Sequence, residues 1–138
     1  MSRENEDLVR RLMTEVWNER NFDAIDELCS ESFVIHDPSA PVLPSGPDAA
    51  KLYIGAFIAA FPDAKVEIHD LFGAGDRVAL RWSASGTHRG ELNGIPPTHQ
   101  HVSFAGLAIY RIANGRIEED WVSADMLGLL QQLGALPG

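Results

Sequence analysis

The 138-residue chain predicts an α+β fold in which helices cover one face of a curved antiparallel sheet. Three observations carry this. Apolar residues recur at helical spacing near the N-terminus and again in residues 47–61. From residue 65 onward they alternate instead, as strands do. The reversals at residues 73–76 and 114–115 are Gly and Asn turns, too short for the dozen or more residues that a parallel crossover needs, and Gly86, Gly90 and Gly94 with Pro96-Pro97 mark the other reversal.

The elements follow in order. In residues 4–20, Leu8, Val9, Leu12, Met13, Val16 and Trp17 form one apolar stripe of a helix, which Asn21 interrupts. A shorter helix over about Phe22–Cys29 places Phe22, Ile25 and Leu28 at threefold spacing. Phe33-Val34-Ile35-His36 is a short β-prone run, and Asp37-Pro38 ends it because a residue before proline avoids the α region. Residues 38–47 hold four prolines and read as loop, and Pro47 suits the first turn of a helix over 47–61. That helix turns Ala50, Tyr53, Ile54, Phe57, Ile58 and Phe61 inward, and Pro62-Asp63 stops it.

Strands follow at residues 65–70, Arg77–Thr87, His101–Ile112 and Arg116–Val122. Gly73-Ala74-Gly75-Asp76 joins the first two, and Asn114-Gly115 is a hairpin signal between the last two. Ala124–Leu136 closes the chain as a helix. No repeat or linker divides it, so residues 1–138 read as one domain. A chain of this length buries roughly 68% of its unfolded surface, enough for a core without staples.

The strand at 101–112 is apolar on both faces near its middle: Val102, Phe104, Gly106, Ala108 and Tyr110 on one, Ala105, Leu107 and Ile109 on the other. A sheet with one wet face alternates polar with apolar. The helices cover one face, and a second copy of the chain is the expected cover for the other.

Lys and Arg number 11 against 20 Asp and Glu, a net charge of −9 that argues against nucleic acid or an anionic membrane as partner. The N-terminus is polar and no apolar run approaches bilayer length, so a cytoplasmic protein is expected. Cys29 is the single cysteine and reads as a small buried apolar residue. Gly73-x-Gly75 leads into a strand rather than a helix, which excludes a dinucleotide loop. His99 and His101 point the same way from a strand but lack a third and fourth ligand, so no metal is expected.

Three polar residues are candidates for proton transfer. His36 ends the first strand, His88 sits in Gly86-Thr87-His88-Arg89-Gly90, and Asp125 opens the last helix. Each also has a purely structural reading: a strand-end histidine, a turn residue, and a carboxylate at a helix start. The functional reading requires them, His36 and Asp125 above all, to meet in one cavity.

Several runs resemble the SnoaL-like branch of the nuclear transport factor two-like superfamily. They are Val34-Ile35-His36-Asp37, Phe61-Pro62-Asp63, the stretch from Gly86-Thr87-His88-Arg89-Gly90 to Gly94-Ile95-Pro96-Pro97-Thr98, Tyr110-Arg111-Ile112 with Asn114-Gly115-Arg116-Ile117-Glu118-Glu119, and Trp121-x-x-x-Asp125 with Leu129-Leu130-Gln131-Gln132-Leu133-Gly134. The resemblance implies a cone of curved sheet capped by helices, an α+β barrel with a closed apolar pocket. It also implies dimers formed back to back through the sheet.

Its best understood members are aromatic polyketide cyclases, which close a ring by an intramolecular aldol step without metal or cofactor. There an aspartate takes the proton, with Gln and His on the preceding long strand. Registering this chain on Arg111-Ile112, Gly115-Arg116-Ile117 and Gln132-Leu133-Gly134 puts Gly106 and Ala108 at the Gln and His positions and Val122 at the aspartate. Asp125 matches a different aspartate shared in the family.

The expectation is a cofactor-free acid/base enzyme of cyclase, isomerase or hydrolase type, acting on a small hydrophobic carbonyl, ester or ring compound. His36, His88 and Asp125 are its catalytic candidates, and Tyr53, Phe57, Trp82, Phe104 and Trp121 its ligand-binding walls. The alternative is a non-catalytic module that binds a small hydrophobic molecule or only dimerises.

Overall fold

The computed structural model describes residues 2–40 and 42–136. Helix α1 spans Ser2–Arg11 and runs on as a π-helical segment, Leu12–Asn18. Its wide turns carry the stripe onward, with Leu12, Met13 and Val16 buried. Arg20, at φ 65°, ends it. The Arg20 guanidinium donates to the carbonyls of Trp17, Pro62 and Ala64, which straps the helix end to a distant turn. Asn18 adds a two-way amide pair with the backbone of Val66, at 3.0 and 2.8 Å.

Helix α2 covers Asp23–Leu28, β1 Cys29–His36, α3 Pro47–Ala60, β2 Lys65–Ala74, β3 Arg77–Thr87, β4 His101–Ala113, β5 Arg116–Ala124 and α4 Met126–Leu133. The sheet order is β1-β5-β4-β3-β2. Two features differ from expectation. The first strand begins at Cys29, not Phe33, and pairs in parallel with β5. Its crossover is the whole intervening chain, which a search for short connections does not test. The sheet also has two edges, β1 and β2, so it curves without closing into a barrel.

Inward-facing Val102, Phe104, Ala108, Tyr110 and Ile112 of β4 are buried against the helices, while Ser103, Ala105, Leu107 and Ile109 face out. Gln132 docks α4 on β4 by exchanging two hydrogen bonds with the Ser103 backbone, at 2.8 and 2.9 Å. Gly134 ends α4 in the left-handed conformation, φ 72°, which costs glycine least.

A bulge in β5 decides what faces the core. Ile112 pairs with Ile117, but Arg111 pairs with Glu119, so Glu118 is the extra residue. An unbroken ladder from the Asn114-Gly115 turn would pair Ile109 with Asp120 and aim Asp120 outward. The bulge reverses that parity. Tyr110 pairs with Asp120 and Ala108 with Val122, so Asp120, Val122 and Ala124 share the inner face with Ile117.

Candidate functional site

Between the helices and the inner face of the sheet lies a cavity of about 390 Å³. Tyr53, Trp17, Phe57, Phe104 and Trp82 form a connected aromatic wall, with successive ring centroids 6.5, 5.6, 5.7 and 5.6 Å apart. Gly106 lets Trp82 lie there: a Cβ at this position would come within 2.3 Å of the indole. Ala108 and Val122, positions that hold proton-handling groups in the register given above, are apolar parts of the wall. Residues 39, 40, 42, 43, 92 and 93 contribute from loops.

The ionisable carboxyls of this lining are Asp37 and Asp120. Asp120 is 6% exposed and its Oδ1 has no hydrogen-bond partner. Burial, and then the nearby Asp37, push its carboxyl well above the usual carboxylate range, which favours its protonated form. Asp37 follows β1 on the same face as Ile35, the residue paired with Asp120. Its Oδ2 accepts from the Tyr53 hydroxyl at 2.5 Å, and its Oδ1 from the backbone N–H and hydroxyl of Ser39 at 2.9 and 2.7 Å. Burial and the Asp37 contact push the Tyr53 phenol up, so it remains a donor. Tyr110, paired across the ladder with Asp120, is buried and likewise pushed up, chiefly by burial. The arrangement joins one carboxyl raised by burial, one carboxyl organised by three donors, and two phenols in a mostly apolar space.

The expected residues fall in three places. Tyr53, Phe57, Trp82 and Phe104 line the cavity. Trp121 does not: the Glu118 bulge turns it to the outer face, where it stacks on His36 at 5.4 Å beneath Arg77. His36, His88 and Asp125 are not among the lining residues, so the expected meeting of His36 and Asp125 in one cavity is not what the structure shows.

His36 is exposed and bonds Glu119 at 2.8 Å; with Arg111 it holds the Glu119 carboxylate below the usual range. His88 is fully buried against Phe61, and its Nδ1 accepts from the Thr98 backbone N–H at 3.1 Å, pinning the loop between β3 and β4. Asp125 caps α4, its Oδ1 accepting from the Gly128 N–H at 2.9 Å.

Asp120 and Asp37 escaped the sequence reading for different reasons. Asp120 sits in Glu118-Glu119-Asp120, which reads as a solvated acidic run until the bulge is known. Asp37 was legible only as the residue that ends a strand before proline, although it lies on the same strand parity as Phe33 and Ile35. Cys29 is buried and its thiol is pushed up to about 12, mainly by burial, which removes it as a nucleophile. Among the described residues no cluster of His, Cys, Asp or Glu could hold a metal ion. No described helix is long and apolar enough to cross a membrane.

A family model described as SnoaL-like polyketide cyclase matches residues 7–133. The chain belongs to the SnoaL-like polyketide cyclase family. Nogalonic acid methyl ester cyclase of Streptomyces nogalater is 29% identical to this SnoaL-like chain over 125 residues, 88% of the chain and 92% of the cyclase. AclR of Streptomyces galilaeus, a proposed hydroxylase, superposes with a TM-score of 0.84 at 33% identity, covering 100% of this chain and 89% of AclR. IdmH of Streptomyces antibioticus, a proposed polyketide cyclase, superposes with a TM-score of 0.79 at 31% identity, covering 94% of this chain and 98% of IdmH. The unclosed sheet with its helical cover is therefore the SnoaL-like, nuclear transport factor two-like architecture.

Proposed function

We propose that this SnoaL-like protein is a cofactor-free acid/base enzyme acting on a small hydrophobic carbonyl, ester or ring compound, with Asp120 rather than His36, His88 or Asp125 as its acid. One observation carries the reading: a carboxyl group 6% exposed, with an unpartnered oxygen, in the wall of an aromatic cavity. A buried group without a partner costs stability, so a substrate oxygen that takes the Asp120 hydrogen bond offsets that cost. A substrate carbonyl oxygen takes the Asp120 proton while Asp37 takes a proton from the adjacent carbon. The product of that exchange is an enol, from which isomerisation or ring closure proceeds. Tyr53 fixes the Asp37 carboxyl, and the aromatic wall excludes water.

Deuterium exchange at the carbon next to the carbonyl of hydrophobic cyclic ketones, followed by NMR in heavy water, tests this without knowledge of the natural substrate. Wild type is expected to exchange above buffer, Asp120→Asn to lose roughly 10²–10⁴ of the rate, and Asp125→Asn to keep it. Exchange equal to buffer, with ligand still bound, supports the second reading, a non-catalytic binder of small hydrophobic molecules. Ala108 and Val122 in the cavity wall favour that reading.

Two copies joined through the outer face of the sheet complete the proposal. Phe72, Ala79, Ile109, Trp121 and His36 lie in one cross-strand row on that face, and Phe72, Leu107 and Ile109 are 62%, 58% and 47% exposed. Such a contiguous apolar patch marks an interaction surface.

A further inference from the structure

We infer that the compound this cavity takes carries a protonated amine, held between the aromatic wall and the carboxyls of Asp37 and Asp120. The inference stands beside the acid/base reading rather than on it: an amine ligand ionises Asp120, so such a compound is bound without Asp120 serving as its acid. It begins from a missing partner. Asp37 and Asp120 are the charged residue types in the lining, and no Lys, Arg or His accompanies them. Elsewhere in the molecule several carboxylates find cations: Asp70 with Arg81 at 2.7 Å, Glu119 with Arg111 at 2.9 Å, Asp26 with Lys51 at 3.1 Å. The cavity is where carboxyls approach each other without one.

The lining supplies the two things an organic ammonium needs when it leaves water. Aromatic faces attract a cation through their quadrupole, most strongly for Trp, and Trp17 and Trp82 stand in this wall with Tyr53, Phe57, Phe104 and Tyr110. Carboxyl oxygens supply the charge, and Asp120 Oδ1 is buried with no partner in the protein. A carboxylate-bearing ligand meets the reverse conditions: no donor cation, two acids, and a chain of net charge −9.

The titratable groups that face Asp120 are Asp37 at the end of β1, Cys29 at its start, Tyr53 on α3 and Tyr110 on β4; all are acids, so none offers it a positive charge. With no cation beside it, Asp120 favours its protonated form. An arriving ammonium pairs with its carboxylate, and the proton passes to the buffer. Amine binding thus releases a proton and tightens as pH rises, until the amine itself deprotonates. A neutral ketone that accepts from protonated Asp120 shows the opposite trend.

Calorimetric titration of the purified chain with three probes on one skeleton separates these cases: 2-(aminomethyl)naphthalene, 2-acetylnaphthalene and 2-naphthoate, at neutral pH in buffers of different ionisation heat. The amine is expected to bind about ten-fold or more tighter than the ketone, with net proton release, and the naphthoate not to bind. Asp120→Asn is expected to abolish proton release and to weaken the amine about ten-fold more than it weakens the ketone. The pH trend of wild type reads the same point if that variant folds poorly. Amine binding without proton release, ketone binding as tight as the amine, or no amine binding overturns the inference. Ketone binding with exchange chemistry but no amine preference would overturn it while leaving the acid/base reading in place.

Discussion

An unpartnered carboxyl is tolerable in an apolar wall only while it holds its proton, and this ties stability to pH through Asp120. Its value is raised on folding, so the native state binds the extra proton between the unfolded and folded values. The contribution is full below the unfolded value and is lost as pH rises through the folded one. Asp63, Glu118 and Glu119 have the opposite sign: their values are lowered, by Thr87, by Ser30 and by His36 first, and what they contribute is lost as pH falls. The difference between wild type and Asp120→Asn isolates Asp120. Urea unfolding across pH should show wild type losing ground to the variant from mildly acid to alkaline pH; parallel curves would refute a protonated Asp120. At this scale the sequence showed residue types but not their surroundings. Tyr53, Phe57, Trp82 and Phe104 could be placed by parity and helical spacing. Asp120 could not, because an acid beside Glu118 and Glu119 looks solvated.

Helix α4 and the strands beneath it show what an element-level reading captures. The start of α4 was visible in Asp125, which caps it; its end was expected at Leu136, but Gly134 caps the helix just after Leu133. Asp125→Ala should cost about 1 kcal/mol in chemical denaturation, Asp125→Asn much less, and neither should alter ligand affinity. A loss of binding in Asp125→Ala at intact fold would return that residue to the cavity chemistry. Strand identity was legible from alternation and turn residues. The parallel pairing of β1 with β5 was not, since it depends on elements far apart in sequence. Nor was the π-helical segment, whose apolar spacing passes for an ordinary helix. Gly106 tests the β3–β4 wall: in Gly106→Ala the new Cβ would meet Trp82 within 2.3 Å and the Ser123 carbonyl within 2.9 Å. The expected cost is roughly 1–3 kcal/mol, with indole fluorescence shifted as Trp82 is displaced toward the cavity. Unchanged stability and fluorescence would mean that the wall yields elsewhere.

For the molecule as a whole, the helices close one face of the sheet and leave an apolar row on the other. Leu107 is 58% exposed, so Leu107→Lys should change the stability of a single copy by no more than about 0.5 kcal/mol. It should nevertheless convert a dimer to a monomer in light scattering; a wild type that is monomeric when concentrated would remove the proposed interface. The two surfaces are linked through β5, whose side chains alternate between cavity and outer face. Glu118 sets which goes where, because it is the one residue in that strand without a partner of its own. One more residue inserted after it would shift every later residue by one position and turn β5 over, so that Glu119, Trp121 and Ser123 would enter the cavity and Asp120, Val122 and Ala124 would face out; deleting Glu118 would instead leave Arg111 opposite Glu119 and Tyr110 opposite Asp120 and keep both faces. A single three-base insertion at this point thus exchanges a whole cavity wall at once, a larger change of chemistry than any one substitution can make.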